Sequence, residues 1–403
     1  MVSHAPCPEL LFAGQLDDGV PALLFDFLPE AKTALEAWNN LEAWNNLEDQ
    51  TSRADLMQQL VSVVGLLHDS GLTQEDLHLE NFLFSGQRLH AIDGDAIDLR
   101  NQGKPLDLET SCSNLAIFFA QFFPENDPLI EPTVSLYAKQ RNMSASQLLH
   151  QLALDLPKAR RRRRHKYVEK CYRSCSEFVR LVKKSHLTVS RRDMQGETLT
   201  RLLDDPDRFM ADGVLLKDGN SSTVVRVQID NYDWVIKRYN IKSLRHSLSR
   251  CFRPTRAWVS WGNGHRLKIS GIATPKPIAL LEKRIGPLRS TGYYVCDFVT
   301  GVDAEEFFQD AAVDSVSKEQ VNISFVRLFE LFRKLNIVHG DCKATNFLLR
   351  KSEPWVLDLD AMHECSSAAQ FQKLFQVDRE RFLRNWESQP ELQRWFDEHL
   401  PGR

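Results

Sequence analysis

The chain has 403 residues, enough for two domains, with 42% hydrophobic and 26% charged side chains and a formal net charge of -3. This balance is that of an ordinary globular protein and excludes a global basic field for nucleic acid, which is not expected as a partner. No apolar run approaches the roughly 18 residues of a membrane span, and the opening MVSHAPCPELLF lacks a basic region followed by an apolar core, so no secretory signal is read and a cytoplasmic location is expected.

In chain order, the first readable element is PALLFDFLPEA (Pro21 to Ala31), a strand running into a linker. A direct repeat follows, EAWNNL at Glu36 to Leu41 and again at Glu42 to Leu47, read as a small duplication at the start of a helix. Leu56, Leu60, Val63, Val64 and Leu67 recur at helical spacing, and the helix is expected to end near Gly71. EDLHLENFLFSGQRLHAIDGDAI comes next, with Asp76, Asn81 and, after a short β-like run at Leu89 to Ile92, Asp93.

Five consecutive arginines, Arg160 to Arg164, are flanked by Lys158, His165 and Lys166. Such a run is a solvated face or a contact for an anionic surface such as phospholipid headgroups. The eight cysteines show no metal spacing and read as reduced thiols; Cys171 and Cys175, four apart on an expected helix, read as packing residues. KDGNSSTVVRV (Lys217 to Val227) suits a hairpin that covers phosphates, with Gly219, Ser221 and Ser222 at its turn, and WVIKRY places Lys237 on a strand. TGYYVCDFVTGVDA (Thr291 to Ala304) is a strand leading into a linker through Asp297 and Val299. Val321, Phe325, Leu328, Phe332 and Leu335 form an apolar helical stripe that stops just before His339. VHGDCKATNFLLRKSEPWVLDLDAM then carries Asp341, Lys343, Asn346 and, after a β-like run at Trp355 to Leu357, Asp358.

The same order therefore occurs twice. Asp76, Asn81, Phe82, Leu83, Asp93, Asp95 and Ala96 match Asp341, Asn346, Phe347, Leu348, Asp358, Asp360 and Ala361, all at an offset of 265. Asp26 and Asp297 pair at 271, six more, and removing one EAWNNL unit reconciles the two offsets.

The second copy contains what phosphoryl transfer from a nucleotide requires: a carboxylate to orient and deprotonate the hydroxyl (Asp341), a cation for the γ-phosphate (Lys343) and oxygen ligands for Mg²⁺ (Asn346 and Asp358). Lys237 supplies the cation for the α/β-phosphates, beneath the Gly219 to Ser222 turn. At these residues Lys217 to the C-terminus resembles the protein-kinase-like superfamily, and within it the bacterial lipopolysaccharide kinase family of Kdo, heptose and InaA-type kinases. HGDCKATNFLL with VLDLD carries the likeness, joined by RAWVSWGNGHRLKISGIATPKPIAL (Arg256 to Leu280), similar to that family's helix αC and following strand, and by RFLRNWES (Arg381 to Ser388).

The resemblance implies an α+β fold of protein-kinase-like bilobal type. Residues 1–180 would be a truncated kinase-like domain, 181–212 a linker, and 213–403 a full one with an N-lobe to 300 and a C-lobe from 301. It implies ATP and Mg²⁺ as cofactors, Asp297 and Val299 beside the nucleotide, and a lipopolysaccharide core sugar as acceptor, with a protein serine or another small molecule as the alternative. The arginine run would hold the chain at the inner membrane. Departures from protein kinases point to a small acceptor: Gly340 replaces the arginine that reads a phosphorylated activation loop, and only 45 residues follow Asp358. The αC segment contains no glutamate for Lys237, which raises the alternative of a non-transferring pseudokinase; Glu282 is a candidate partner on a later strand. Asp360 is a candidate second metal ligand, while Trp258, Trp261 and Cys342 read as packing residues. In the first copy Gln74 and His78 replace the histidine and lysine, and no phosphate hairpin or lysine strand precedes Phe25-Asp26-Phe27, so no catalysis is expected there.

Overall fold

The structure is a computed structural model that describes the chain apart from residues 1–6, 18, 43–46, 87, 100, 102, 241–252, 286–287 and 403. The second EAWNNL unit falls largely outside the described residues. The chain divides into two compact units, Met1–Arg163 and Arg164–Arg403.

The first unit opens with a hairpin, Leu10–Gln15 paired antiparallel with Pro21–Phe25. Its apolar side chains are exposed, Phe27 just beyond it by 82%. The rest is mainly helical, with two small sheets, and the helix Leu47–Asp69 supplies the spine. Leu56, Leu60, Val63, Val64 and Leu67 are all buried, as their spacing predicts, and the first four share a core with Leu115, Phe118 and Phe119 of the helix Leu108–Phe119 and Tyr137 of the helix Ile130–Gln140. Each such side chain contributes roughly 1.5–3 kcal/mol by leaving water.

The second unit contains a seven-stranded antiparallel sheet. Its order is Val214–Gly219, Ser222–Ile229, Tyr232–Tyr239, Leu288–Asp297, Pro277–Ile285, His186–Arg191 and Phe178–Val182. Alternation along the Ser222–Ile229 and Tyr232–Tyr239 strands sends Val225, Val227, Trp234 and Ile236 to one buried face. The opposite face packs on the helix Arg256–Ile269, with Trp261 buried. A second core gathers Phe325, Phe329 and Phe332 of the helix Ser315–Leu335 against Phe347, Phe382, Trp386 and Phe396.

The stretch expected to be a linker, 181–212, is folded. His186–Arg191 pairs residue by residue with the Pro277–Ile285 strand (Leu280 opposite Val189), and Leu187 and Val189 are fully buried. Glu197–Asp204 and Pro206–Asp212 are helices, with Leu199 and Leu202 in the core. Cys171 and Cys175 pack on a core as expected, but not on a helix. The helix Ala145–Lys170 ends before Cys171, which is buried, and Cys175 lies in the following turn; both are free thiols.

The local structures around the two clusters correspond closely. In each, a long helix ends on a left-handed residue, Gly71 (φ 77°) or Asn336 (φ 54°), and a 3-10 turn, Leu79–Asn81 or Ala344–Asn346, leads into a three-stranded sheet. In the first sheet Thr33 faces Leu83 and Phe82 faces Ala91; in the second Asp303 faces Leu348 and Phe347 faces Val356. The aspartate that follows is left-handed in both, Asp93 at φ 61° and Asp358 at φ 54°.

Candidate active site

The loop His339–Asn346 is fastened at both ends. Asn346 Nδ2 donates to the Asp341 backbone oxygen (2.9 Å) and lies 3.3 Å from its carboxylate. Leu357 N–H donates to Asn346 O (2.9 Å), and His339 Nε2–H donates to Leu357 O (2.8 Å). The residue before Asp358 is thus clamped on both its backbone groups, which carries Asp358 to the asparagine. The first unit repeats part of this frame: Asn81 Nδ2 donates to Asp76 O (2.9 Å) and Ile92 N–H to Asn81 O (2.8 Å).

Beneath the loop lies a residue that the sequence patterns did not indicate. Asp378, on the helix Ala368–Arg384, is buried and accepts the His339 N–H at 2.6 Å and the Gly340 N–H at 2.9 Å. Burial pushes its carboxyl above the ordinary range, while the two backbone donors and His339 oppose the shift. Gly340 has φ 80°, and a Cβ there would meet Ala361 O at 2.9 Å, so the glycine that replaces the kinase arginine is required by the backbone. Asn114 occupies the corresponding place in the first unit, donating to Gln74 O at 2.8 Å.

Asp341 is half-buried, with Lys343 Nζ at 3.0 Å and Arg381 Nε at 3.9 Å from its two oxygens. Lys237 Nζ pairs with Asp358 Oδ1 at 2.5 Å, and both side chains are largely shielded. Burial works to raise the Asp358 carboxyl, but the Lys237 charge and hydrogen bond prevail and hold it below the usual range; burial and the neighbouring Asp358 push Asp360 up. Asp360 pairs with Arg256.

Glu282 is not the partner of Lys237. It is fully buried, accepts from Thr255 Oγ1 at 2.7 Å and pairs with Arg284 at 2.9 Å. The hairpin turn is held from below: Asn240 Nδ2 donates to Gly219 O (3.2 Å) and Asn240 N–H to Ser221 O (3.1 Å), while Ser222 is buried. Asp297 and Val299 stand where the Leu288–Asp297 strand leaves the sheet, and Asp297 N–H donates to Lys276 O (3.0 Å). Among the described residues no hydrogen bond joins these two to the Asp341–Asp358 cluster. Trp261 is buried and Trp258 stacks on Tyr172 at 4.2 Å, so both serve packing. Cys342 is buried.

Asn346 and Asp358 supply hard oxygen donors of the kind Mg²⁺ takes. Among the described residues no group of three or more His, Cys, Asp or Glu side chains is placed to hold a metal, so a cation here would need further oxygens, such as those of a nucleotide's phosphates. A cavity of about 580 Å³ lies instead beside the helix Ala304–Gln309, lined by Asp303, Glu305, Glu306 and Asp310. Its acidic wall is unsuited to phosphate.

A lysine on a strand, an acidic loop and an Asp-Asn loop joined to it are the kinds of group that phosphoryl transfer from a nucleotide calls for. Residues 216–389 match the family model described as "Kdo: Lipopolysaccharide kinase (Kdo/WaaP) family", a family of phosphotransferases. The matched segment lies wholly within the second unit. No curated protein matches the chain.

The arginine run is structurally engaged in part. Arg160 pairs with Asp127 at 2.5 Å, and Arg164, nearly fully buried, pairs with Glu364 at 2.8 Å and donates to Leu335 O. No described helix is long and apolar enough to cross a membrane.

Proposed function

We propose that the second unit is an ATP- and Mg²⁺-dependent kinase that phosphorylates a sugar hydroxyl of the lipopolysaccharide inner core, as a Kdo or heptose kinase of the InaA-like kind does. The observation that carries the reading is the convergence of Lys237, Asp358, Asn346 and Asp341 through one set of hydrogen bonds. Bound Mg²⁺ would neutralise charge on the transferring phosphoryl group. Asp341 would orient the sugar hydroxyl and take its proton, and Lys343 would meet the γ-phosphate. Asn346 and Asp358 would ligate the cation, with Lys237 turning from Asp358 to the α/β-phosphates. The turn at Gly219, Ser221 and Ser222 would cover the phosphates, and Asp297 and Val299 would border the base.

On this reading the fold is a bilobal kinase-like one, the seven-stranded sheet serving as N-lobe and the helical core as C-lobe. The first unit would be a truncated kinase-like partner in tandem. It keeps Asp76, Asn81 and Asp93, but His78 stands 2.8 Å from Asp76 where Lys343 stands in the second. It is assigned no transfer. Contact with an anionic inner-membrane face would fall to the exposed remainder of the basic stretch, Arg162, His165 and Lys166, since Arg160 and Arg164 are committed to carboxylates.

Transfer of labelled phosphate from ATP to purified core oligosaccharide, with Asp341→Ala alongside, tests the reading. Labelling of the sugar by the native chain and none by the variant supports it. Labelling of a protein serine in preference to the sugar would move the acceptor to the alternative class.

A further inference from the structure

The helix Arg256–Ile269 carries no carboxylate, so it cannot hold Lys237 as a helix glutamate would. It presents a cation at its first position. A positive charge there opposes the helix dipole by about 0.3–1 kcal/mol, so the arginine needs another reason for its place.

Three contacts supply one. The guanidinium pairs with the Asp360 carboxylate, whose side chain is only 6% exposed. It donates through Nη1 to Ser221 O, at the tip of the phosphate hairpin, at 3.3 Å. It also lies 5.0 Å from the centre of the Tyr239 ring, whose hydroxyl meets Ser260 Oγ of the same helix at 2.7 Å. Lys237 Nζ is 5.1 Å from the same ring. Two cations and two carboxylates, Lys237 with Asp358 and Arg256 with Asp360, thus close a neutral network around one aromatic side chain. Breaking one member of a shielded pair leaves an uncompensated charge, which is the costly way to disturb it.

We propose that Arg256 is a positioning residue for phosphoryl transfer: with reversed charge, it ties the helix and the hairpin tip to the acidic loop through Asp360. The inference rests on the reading of Lys237 and Asp358 as the nucleotide and cation groups. Binding of nucleotide and cation separates Lys237 from Asp358, and the Arg256–Asp360 pair keeps the loop, helix and hairpin in register while that exchange happens. Asp360 is then the anchor of Arg256 and not a second ligand for the cation. The helix needs no glutamate because its tether runs to the acidic loop and bypasses the lysine.

The test uses the full chain, labelled ATP and core oligosaccharide, with Arg256→Gln, Asp360→Asn and the double variant. Each single change lowers kcat about 10- to 100-fold, the scale on which small misplacements act. The double variant is no worse than either single, because both remove one interaction. The Mg²⁺ concentration for half-maximal rate stays within about twofold of native in all three. Arg256→Lys keeps the charge but loses the fork that reaches Ser221 and Asp360 together, so it recovers part of kcat; it also stands in should Arg256→Gln fail to fold. Native kcat in Arg256→Gln overturns the proposal, as does an Asp360→Asn variant whose defect is repaired by excess Mg²⁺. Asp341→Asn run in parallel separates the two levels. If it is inactive while Arg256→Gln is native, only this inference falls; if it is active, the site reading falls.

Discussion

Replacing Asp378 tests whether the catalytic loop is positioned from beneath. The carboxylate accepts two backbone N–H groups at 2.6 and 2.9 Å in a buried setting. Asp378→Ala leaves both donors without a partner, and each buried unsatisfied donor costs about 1–3 kcal/mol, giving roughly 2–6 kcal/mol for the pair. Asp378→Asn keeps the shape and one acceptor oxygen but turns its amide NH₂ toward the second donor, so about half that loss is expected. Because His339 and Gly340 immediately precede Asp341, the loop shifts when they are released, and kcat falls about 100-fold in the alanine variant. Urea unfolding followed by tryptophan fluorescence reports the first effect, and labelled transfer at saturating ATP reports the second. An alanine variant with the native urea midpoint and the native rate would refute the reasoning.

Three other changes have defined outcomes. Lys237→Met removes the partner of Asp358 and the phosphate-neutralising cation together; transfer falls by about 100-fold or more with the circular dichroism unchanged, and native turnover would contradict the assignment. Burial holds His265 neutral, its pKa lowered to about 3 from 6.5, with neither ring nitrogen hydrogen-bonded among the described residues. The depressed value means that the unfolded chain takes up a proton first, so stability is complete above about pH 6.5 and is lost as pH falls toward 3. His265→Leu flattens that acid limb in thermal melts between pH 7 and 4.5, and an unchanged acid limb counts against the account. Gly340→Ala forces a side chain into left-handed backbone facing Ala361 O; it costs about 1–2 kcal/mol and slows transfer, and a variant with native melting and rate removes the argument for the glycine.

Much of the site was legible because its parts are local. The Asp-Asn-Asp spacing, the helices before each loop and the strand around Lys237 all rest on periodicity within a dozen residues, and the structure has each of them. What escaped was set by distant partners. Asp378 is one acid on a charged helix face until the fold brings it under His339, and nothing in its neighbours marks it. His186–Arg191 looks like connecting chain because the strand on its inner side, Pro277–Ile285, begins some ninety residues later. Glu282 was weighed as a partner for Lys237 by type alone, and its strand carries it to Thr255 and Arg284. The arginine run has no helical pattern to distinguish its members, so the commitment of Arg160 to Asp127 and Arg164 to Glu364 could not be foreseen.

The central claim is that phosphate leaves ATP at Asp341 and not at its counterpart Asp76. Single-turnover transfer to core oligosaccharide by the native chain, Asp341→Ala and Asp76→Ala tests it most directly. The account predicts label on the sugar for the native chain, the same rate for Asp76→Ala, and a loss of at least about 100-fold for Asp341→Ala. Equal rates for the native chain and Asp341→Ala, or a loss confined to Asp76→Ala, would contradict it.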